Sequence, residues 1–310
     1  MKNIIILFIG IISILPTQTQ AQCFANPGNP VGGTANLGIM DQYALRLSGF
    51  YLFSHSDTYY EGNKKYEGPK EVYSTADYNY VQMVLAYGIL PKLTIESETG
   101  YFINKTSTYK INSISQTGKG LSNTTVSLKT QLYSNLDTRT SIACALGASL
   151  PYTHDDITNI DFRPSTGSYA GIFQTYIVRE NSFKGTRIFY TNRIEKFFEN
   201  DKKELFGTVI NQSFYYSRHF DFYERKLNDW TAIIQIKNSI EMHNKRNGTQ
   251  VEASGGYSFW LIPQINLFLN ETWNISSFFS YPLYQHLNDV QLGDSFNFGI
   301  QIIRDINFAE

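Results

Sequence analysis

Over residues 295–308 the chain alternates between two characters, residue by residue. Phe296, Phe298, Ile300, Ile302, Arg304, Ile306 and Phe308 form one series, apolar except for Arg304. Ser295, Asn297, Gly299, Gln301, Ile303, Asp305 and Asn307 form the other, polar except for Ile303. Successive side chains of a β-strand point to opposite faces. A period of two held over this length therefore describes a strand with a different solvent on each side.

The same period recurs upstream. Trp230, Ala232, Ile234, Ile236, Ile240 and Met242 alternate with Thr231, Gln235, Lys237, Ser239 and Glu241. Val251, Ala253, Tyr257, Phe259 and Leu261 alternate with Glu252, Ser254, Gly256 and Ser258. Ile265, Leu267, Leu269, Trp273 and Ile275 alternate with Asn266, Asn270, Thr272 and Asn274. Ile142, Cys144, Leu146, Ala148 and Leu150 alternate with Ser141, Ala143, Ala145, Gly147 and Ser149. Weaker versions run through 43–54, 78–88, 93–102, 124–133, 169–178, 186–195 and 206–216. The sum is about twelve strands, an even number within the range of bacterial membrane barrels.

Two solvents can be a dry core and water, as in a sandwich, or lipid and water, as in a barrel. No stretch after the N-terminal segment is apolar enough for a membrane helix, so a membrane crossing would have to be a closed barrel. Three features favour the barrel. The chain carries 22 Tyr and 22 Phe with only 17% charged residues, the balance expected of strands that face lipid on one side. The links alternate in length: 57–77, 104–120, 151–167 and 277–293 are long, while 89–92, 134–137, 179–183 and 263–264 are short. Two links break that rule, 217–229 being long and 243–248 short for their places. Finally, the alternating strand at 295–308 ends on an aromatic two residues from the C-terminus. Outer-membrane barrels close on such a strand, and the barrel-assembly machinery reads it. The predicted fold is all-β, a transmembrane antiparallel up-and-down β-barrel of about twelve strands spanning 41–310.

The first 22 residues read as an address. Lys2 precedes an apolar run over 4–15, then Pro16 and a small, polar stretch, the order of a secretory signal peptide. Thr19 and Ala21 suit cleavage near Ala21 or Gln22. A lipoprotein acylated at Cys23 is the rival, and Gln22 argues against it, since that position favours a small residue. Export with a barrel fold places the chain in the outer membrane of a Gram-negative bacterium, in contact with its lipid. Residues 23–40 are rich in Pro and Gly and read as irregular, either a tail or an inward-folded plug. Two cysteines, Cys23 and Cys144, are too few for a stapled secreted fold. The net charge of −1 gives no reason to expect a nucleic-acid partner.

With the apolar phase on lipid, ten ionisable side chains fall on the other face: Arg46, Glu96, Glu98, Lys129, Arg187, Arg193, Glu195, Lys237, Glu241 and Glu252. They are the candidate lining of a lumen. Their mixed signs do not make a single-sign selectivity ring. Glu96 and Glu98 are placed to pair with Lys129 or with Arg46. Such pairs either line a narrow pore or fill the interior. Aromatics at strand ends, Tyr51, Phe53, Tyr101, Trp230, Trp260 and Trp273 among them, are expected in the interfacial girdle. Chemistry is harder to find. His55 and Ser56 are neighbours on a strand and point apart. His154-Asp155-Asp156 is too small a set for a hard cation, and the scattered histidines do not form a tetrahedral one. No catalytic residue, cofactor or metal site is expected.

Several local strings follow a further pattern. They are Tyr87-Gly88-Ile89-Leu90-Pro91-Lys92-Leu93-Thr94-Ile95, Gly120-Leu121-Ser122-Asn123-Thr124-Thr125-Val126-Ser127-Leu128-Lys129, Leu146-Gly147-Ala148-Ser149-Leu150-Pro151 and Arg163-Pro164-Ser165-Thr166-Gly167-Ser168-Tyr169. In that order the chain resembles the outer-membrane transporter family named after the meta pathway of phenol degradation. It departs from that family's strings at Asn123, where an Asp is usual, at Tyr152 after Pro151, and before Thr166, which lacks a Gly. The resemblance implies a barrel for uptake of small, often hydrophobic molecules, and it carries no catalytic residues. The expected function is a channel or transporter for small molecules with a mixed-charge lumen. The alternative is a non-conducting barrel that binds a partner through its long loops. An outer-membrane enzyme is the third reading.

Overall fold

The computed structural model describes residues 38–152, 160–181, 184–220, 230–269 and 272–308. The expected signal peptide, Cys23, most of the 23–40 segment and His154-Asp155-Asp156 lie outside them. Twelve strands form the wall. They are β1 (Ala44–Ser56), β2 (Tyr73–Leu90), β3 (Leu93–Tyr109), β4 (Thr124–Asn135), β5 (Thr140–Leu150), β6 (Ala170–Asn181), β7 (Thr186–Phe197), β8 (Val209–Phe220), β9 (Trp230–Glu241), β10 (Gly256–Phe268), β11 (Trp273–Gly293) and β12 (Phe296–Asn307). Each pairs antiparallel with its neighbour in sequence, and β12 closes on β1 from Ala44↔Asn307 to His55↔Phe296. Closure leaves no edge strand, and the ladder runs around the wall with an interruption in the β10–β11 pair.

The alternation reads directly as inside and outside. On β12, Gly299, Gln301 and Ile303 are buried while Phe298, Ile300 and Ile302 are exposed. On β3, Thr94, Glu96 and Glu98 are buried while Ile95 is exposed. The buried face of this protein is thus largely polar and its exposed face apolar, the reverse of a water-soluble sandwich.

Most short links fall at one end of the barrel and most long ones at the other, the two-residue link 294–295 and the nine-residue link 221–229 being the exceptions. At the long-link end, Thr58–Gly62 adds to the projecting part of β11, Ser115–Leu121 continues along β3, and Glu204–Leu205, Lys245–Arg246 and Thr249–Gln250 make a small separate sheet. Above the wall, Tyr59, Tyr73, Phe162, Val290 and Leu292 pack into a cap. Phe162 comes from a short 3-10 turn, Ile160–Phe162. Its carbonyl lies so close to Gly118 that a Cβ there would meet it at 1.8 Å. At the short-link end the chain enters the lumen. Met40 N donates to Thr94 Oγ1 at 2.9 Å, and Ile39 packs against the inward cluster of Ala143, Ala145, Tyr176, Phe189, Tyr215 and Ile233.

Two expectations about the links are corrected. Residues 263–264 are not a turn, because β10 runs through them. Pro263 cannot donate to a ladder, and it sits where the pairing with β11 is interrupted between Leu261↔Tyr281 and Gln264↔Phe278. Residues 277–293 are not a loop either: β11 continues to Gly293 and turns into β12 through Asp294 and Ser295. The long excursion belongs instead to 242–255, between β9 and β10.

Candidate lumen and outer cavity

The interior is layered from the short-link end outward. In the first layer Arg46 grips Asp305 through two bonds of 2.6 Å, and Arg187 pairs with Glu180. β1 and β12 hold the first pair directly across their shared ladder, at Arg46↔Asp305.

The second layer is a belt of buried charge. Lys129 Nζ donates to Glu96 Oε2 at 3.0 Å, and both side chains are almost fully shielded. The ammonium also lies 4.6 Å from the Tyr176 ring centre, a cation–π contact. Arg193 Nη1 donates to both oxygens of Glu98 at 3.2 Å and lies 3.7 Å from Glu195. Glu98 is on β3 and Arg193 on β7, four strands around the wall, so this pair is a chord across the lumen. Amides continue the belt: Gln264 Nε2 donates to Gln235 Oε1 at 2.6 Å, and Gln235 Nε2 to Ser213 Oγ at 3.0 Å.

The third layer is apolar. Phe50 stacks on Phe278 at 5.7 Å, and Leu52, Tyr78, Tyr80, Phe102, Trp260 and Ile262 complete the cluster. Beyond it, beneath the cap, lies a cavity of about 150 Å³. Its floor includes Trp260, Phe278 and Tyr78, and its wall carries Lys237, Glu241 and Asp294. Asp294 accepts from Ser56 Oγ at 3.3 Å. Burial pushes its carboxyl from 3.8 up to about 6, against the pull of Ser56 and of Lys237. Asp161 beside the cap behaves alike: burial raises it to about 6 against the attraction of Lys105 and a bond from Tyr73.

The structure distributes the ten sequence-predicted residues unevenly. Arg46 and Arg187 stand near the short-link end, and Glu96, Glu98, Lys129, Arg193 and Glu195 meet in the central belt. Lys237 and Glu241 face the outer cavity. Glu252 is a correction. It lies in an exposed bend after Thr249–Gln250, near the Gln250 amide at 3.4 Å, because β10 begins only at Gly256. Glu98 takes Arg193 rather than Arg46, whose guanidinium is held by Asp305. Trp260 is not in a girdle: it is 5% exposed and faces inward, one phase off from Tyr257, Phe259 and Leu261. His55 faces outward, bonded to Asp77 at 2.5 Å, while Ser56 faces in.

Sequence reasoning missed Asp294, Asp161 and Lys105 as inward groups. Asp294 lay next to a stretch read as loop, so its phase carried no weight. Asp161 comes inward only because its turn folds back under the cap, which no periodicity announces.

No family model matches this chain, and no curated relative does. Solved structures do. An outer-membrane channel from Pseudomonas putida F1 superposes with a TM-score of 0.67 at 12% identity, covering 91% of this chain and 100% of that one. The β domain of the Bordetella autotransporter BrkA superposes with a TM-score of 0.50 at 10% identity, covering 84% of this chain and 99% of that one. At such identities the likeness is one of fold, a transmembrane β-barrel.

Proposed function

We propose that this chain is an outer-membrane channel or transporter of a Gram-negative bacterium, passing small molecules through a mixed-charge lumen. In this reading the short-link end faces the periplasm, the long-link end faces outside, and the outer cavity receives the solute. One observation carries it. The barrel interior carries a belt of charged and amide side chains and, beneath the cap, a cavity with charged groups on its wall. A barrel that served only as an anchor would gain more stability from an apolar fill, since buried charge costs more than it returns unless well paired. The fold likeness to a Pseudomonas outer-membrane channel and the resemblance of the turn strings to a phenol-pathway transporter family support the same class. No catalytic step is assigned, and the N-terminal segment is taken as a cleaved signal peptide, 1–22, followed by a plug over 23–40 whose last residues, Ile39 and Met40, meet the lumen wall.

The chord of Glu98, Arg193 and Glu195 favours a second reading, a non-conducting barrel that binds a partner through its long loops. The two separate in planar bilayers and in liposomes. The channel reading expects discrete conductance steps and swelling with some members of a panel of sugars, amino acids and aromatic acids. Folded, heat-modifiable protein that gives neither conductance nor flux would leave only the second reading. Recovery of the native chain from the soluble periplasm would overturn both.

A further inference from the structure

Among the described residues most interior charges are paired, and three without an ion pair stand together, Lys237, Glu241 and Asp294. Lys237 and Glu241 both occupy the inner face of β9 and both line the outer cavity. Among the described residues neither side chain has a hydrogen bond or an ion pair; the charge whose field reaches both is Asp294. The two cannot simply close on each other. Same-face neighbours on a strand are about 6.8 Å apart, so these residues, two such steps apart, are separated by about 14 Å at Cα. The cavity lies along that gap. An unpaired charge kept from bulk water is costly, and here Lys237, Glu241 and Asp294 stand without an ion partner around a floor of Trp260 and Phe278, on a wall that also carries Lys105 and Asp161. An apolar solute would desolvate all three charges and satisfy none. A simple anion would satisfy Lys237 and meet two carboxylates.

We propose that the outer cavity binds a small zwitterion of amino-acid or dipeptide size. Its carboxylate rests on Lys237, its ammonium between Glu241 and Asp294, and its apolar part on Trp260 and Phe278. Aromatic faces suit both the apolar part and a nearby ammonium. This names a ligand for the site that the channel reading treats as the mouth of the lumen, and it rests on that reading only for the ligand's route onward.

The test is calorimetric titration of the full, folded barrel in detergent with alanyl-phenylalanine, 3-phenylpropionate and 2-phenylethylamine. The dipeptide should bind saturably, and each singly charged compound at least about tenfold more weakly, the factor that about 1.4 kcal/mol represents. Lys237→Met and Glu241→Gln, checked for heat-shifted gel migration, should each weaken the dipeptide about tenfold. Equal binding of the three compounds, no saturable binding of the dipeptide, or folded variants that bind it unchanged would each overturn the proposal. The comparison among ligands needs no variant, so a variant that fails to fold does not remove the test. Liposome flux on the same preparation separates the two readings. Flux without dipeptide binding overturns this site and leaves the channel. Binding without flux overturns the channel and leaves the site.

Discussion

Arg193 reaches across the lumen from β7 and places one nitrogen 3.2 Å from each oxygen of Glu98 on β3. Both side chains are at most 5% exposed. Removing one member of a shielded pair leaves the other charge without a partner, at a typical cost of about 3–5 kcal/mol. Arg193→Met should therefore lower the urea midpoint of the barrel in vesicles, and Glu98→Gln/Arg193→Met should recover the share of the loss that belongs to Glu98, Glu195 still being without its partner. If the chord narrows a pore, the double variant should also pass a larger current per step than the parent. An unchanged current with restored stability would make the chord structural and no part of a conduction path.

Asn123 is a second junction, and it ties together strings far apart in sequence. Its Nδ2 donates to Ser149 Oγ at 3.2 Å, Thr166 Oγ1 at 2.9 Å and the Ser168 carbonyl at 3.2 Å. Its Oδ1 accepts from Ser165 Oγ at 2.6 Å and from the Thr166 amide at 3.1 Å. It sits between Ser115–Leu121 and β4, so it also closes an interruption in the wall. Each such bond contributes about 0.5–1.5 kcal/mol, and they are lost together in Asn123→Ala. An expected destabilisation of about 2–3 kcal/mol follows, with faster chymotryptic cleavage after the exposed Tyr169. Asn123→Asp keeps the two acceptor bonds and should fall between the variant and the parent.

That junction shows what could be read from the chain. The strings around Gly120, Leu146 and Arg163 look related to one another only as turn chemistry, yet three of them meet at Asn123. Strand number and phase were legible because each strand separates two solvents, and a period of two survives even where it is weak. Strand ends were not. The expected turn at 263–264 contradicts its own phases: it would pair Leu261 with Asn266, one outward and one inward, whereas paired antiparallel residues share a face. The pairing that occurs, Leu267↔Ile275, matches two outward residues. Signs and faces of the lumen charges came from the same periodicity. Partners across the lumen did not, since Glu98 and Arg193 are joined by closure of the whole barrel and by no local spacing.

The raised carboxyl of Asp161 gives a pH dependence with a definite sign. Its folded value, about 6, lies above the ordinary 3.8. Between those values the folded protein holds a proton that the unfolded chain has released, so stability falls as pH rises from about 4 to about 6. Two units correspond to about 3 kcal/mol at most. Asp294 shifts the same way, and both carboxyls line the outer cavity. Asp161→Asn should flatten the decline and raise the urea midpoint at neutral pH. A slope between pH 4 and 6 that this variant leaves unaltered would assign the titration elsewhere.

Among the described residues the outward face carries a row of three amides. Asn192, Gln212 and Asn238 lie side by side on β7, β8 and β9, in register at Asn192↔Gln212 and Gln212↔Asn238. They share the outward phase of Ile194, Phe214 and Ile236. Asn238 Nδ2 donates to Gln212 Oε1 at 3.1 Å, while Asn192 Oδ1 and Asn238 Oδ1 have no partner. An amide oxygen left unsatisfied away from water costs about 1–3 kcal/mol. Replacing all three by Leu should therefore raise the urea midpoint in vesicles by an amount in that range. The alternative is that a second barrel covers the row and supplies the missing donors. In that case the triple variant would lose a cross-linked dimer that the parent forms in the same vesicles, and its midpoint would fall.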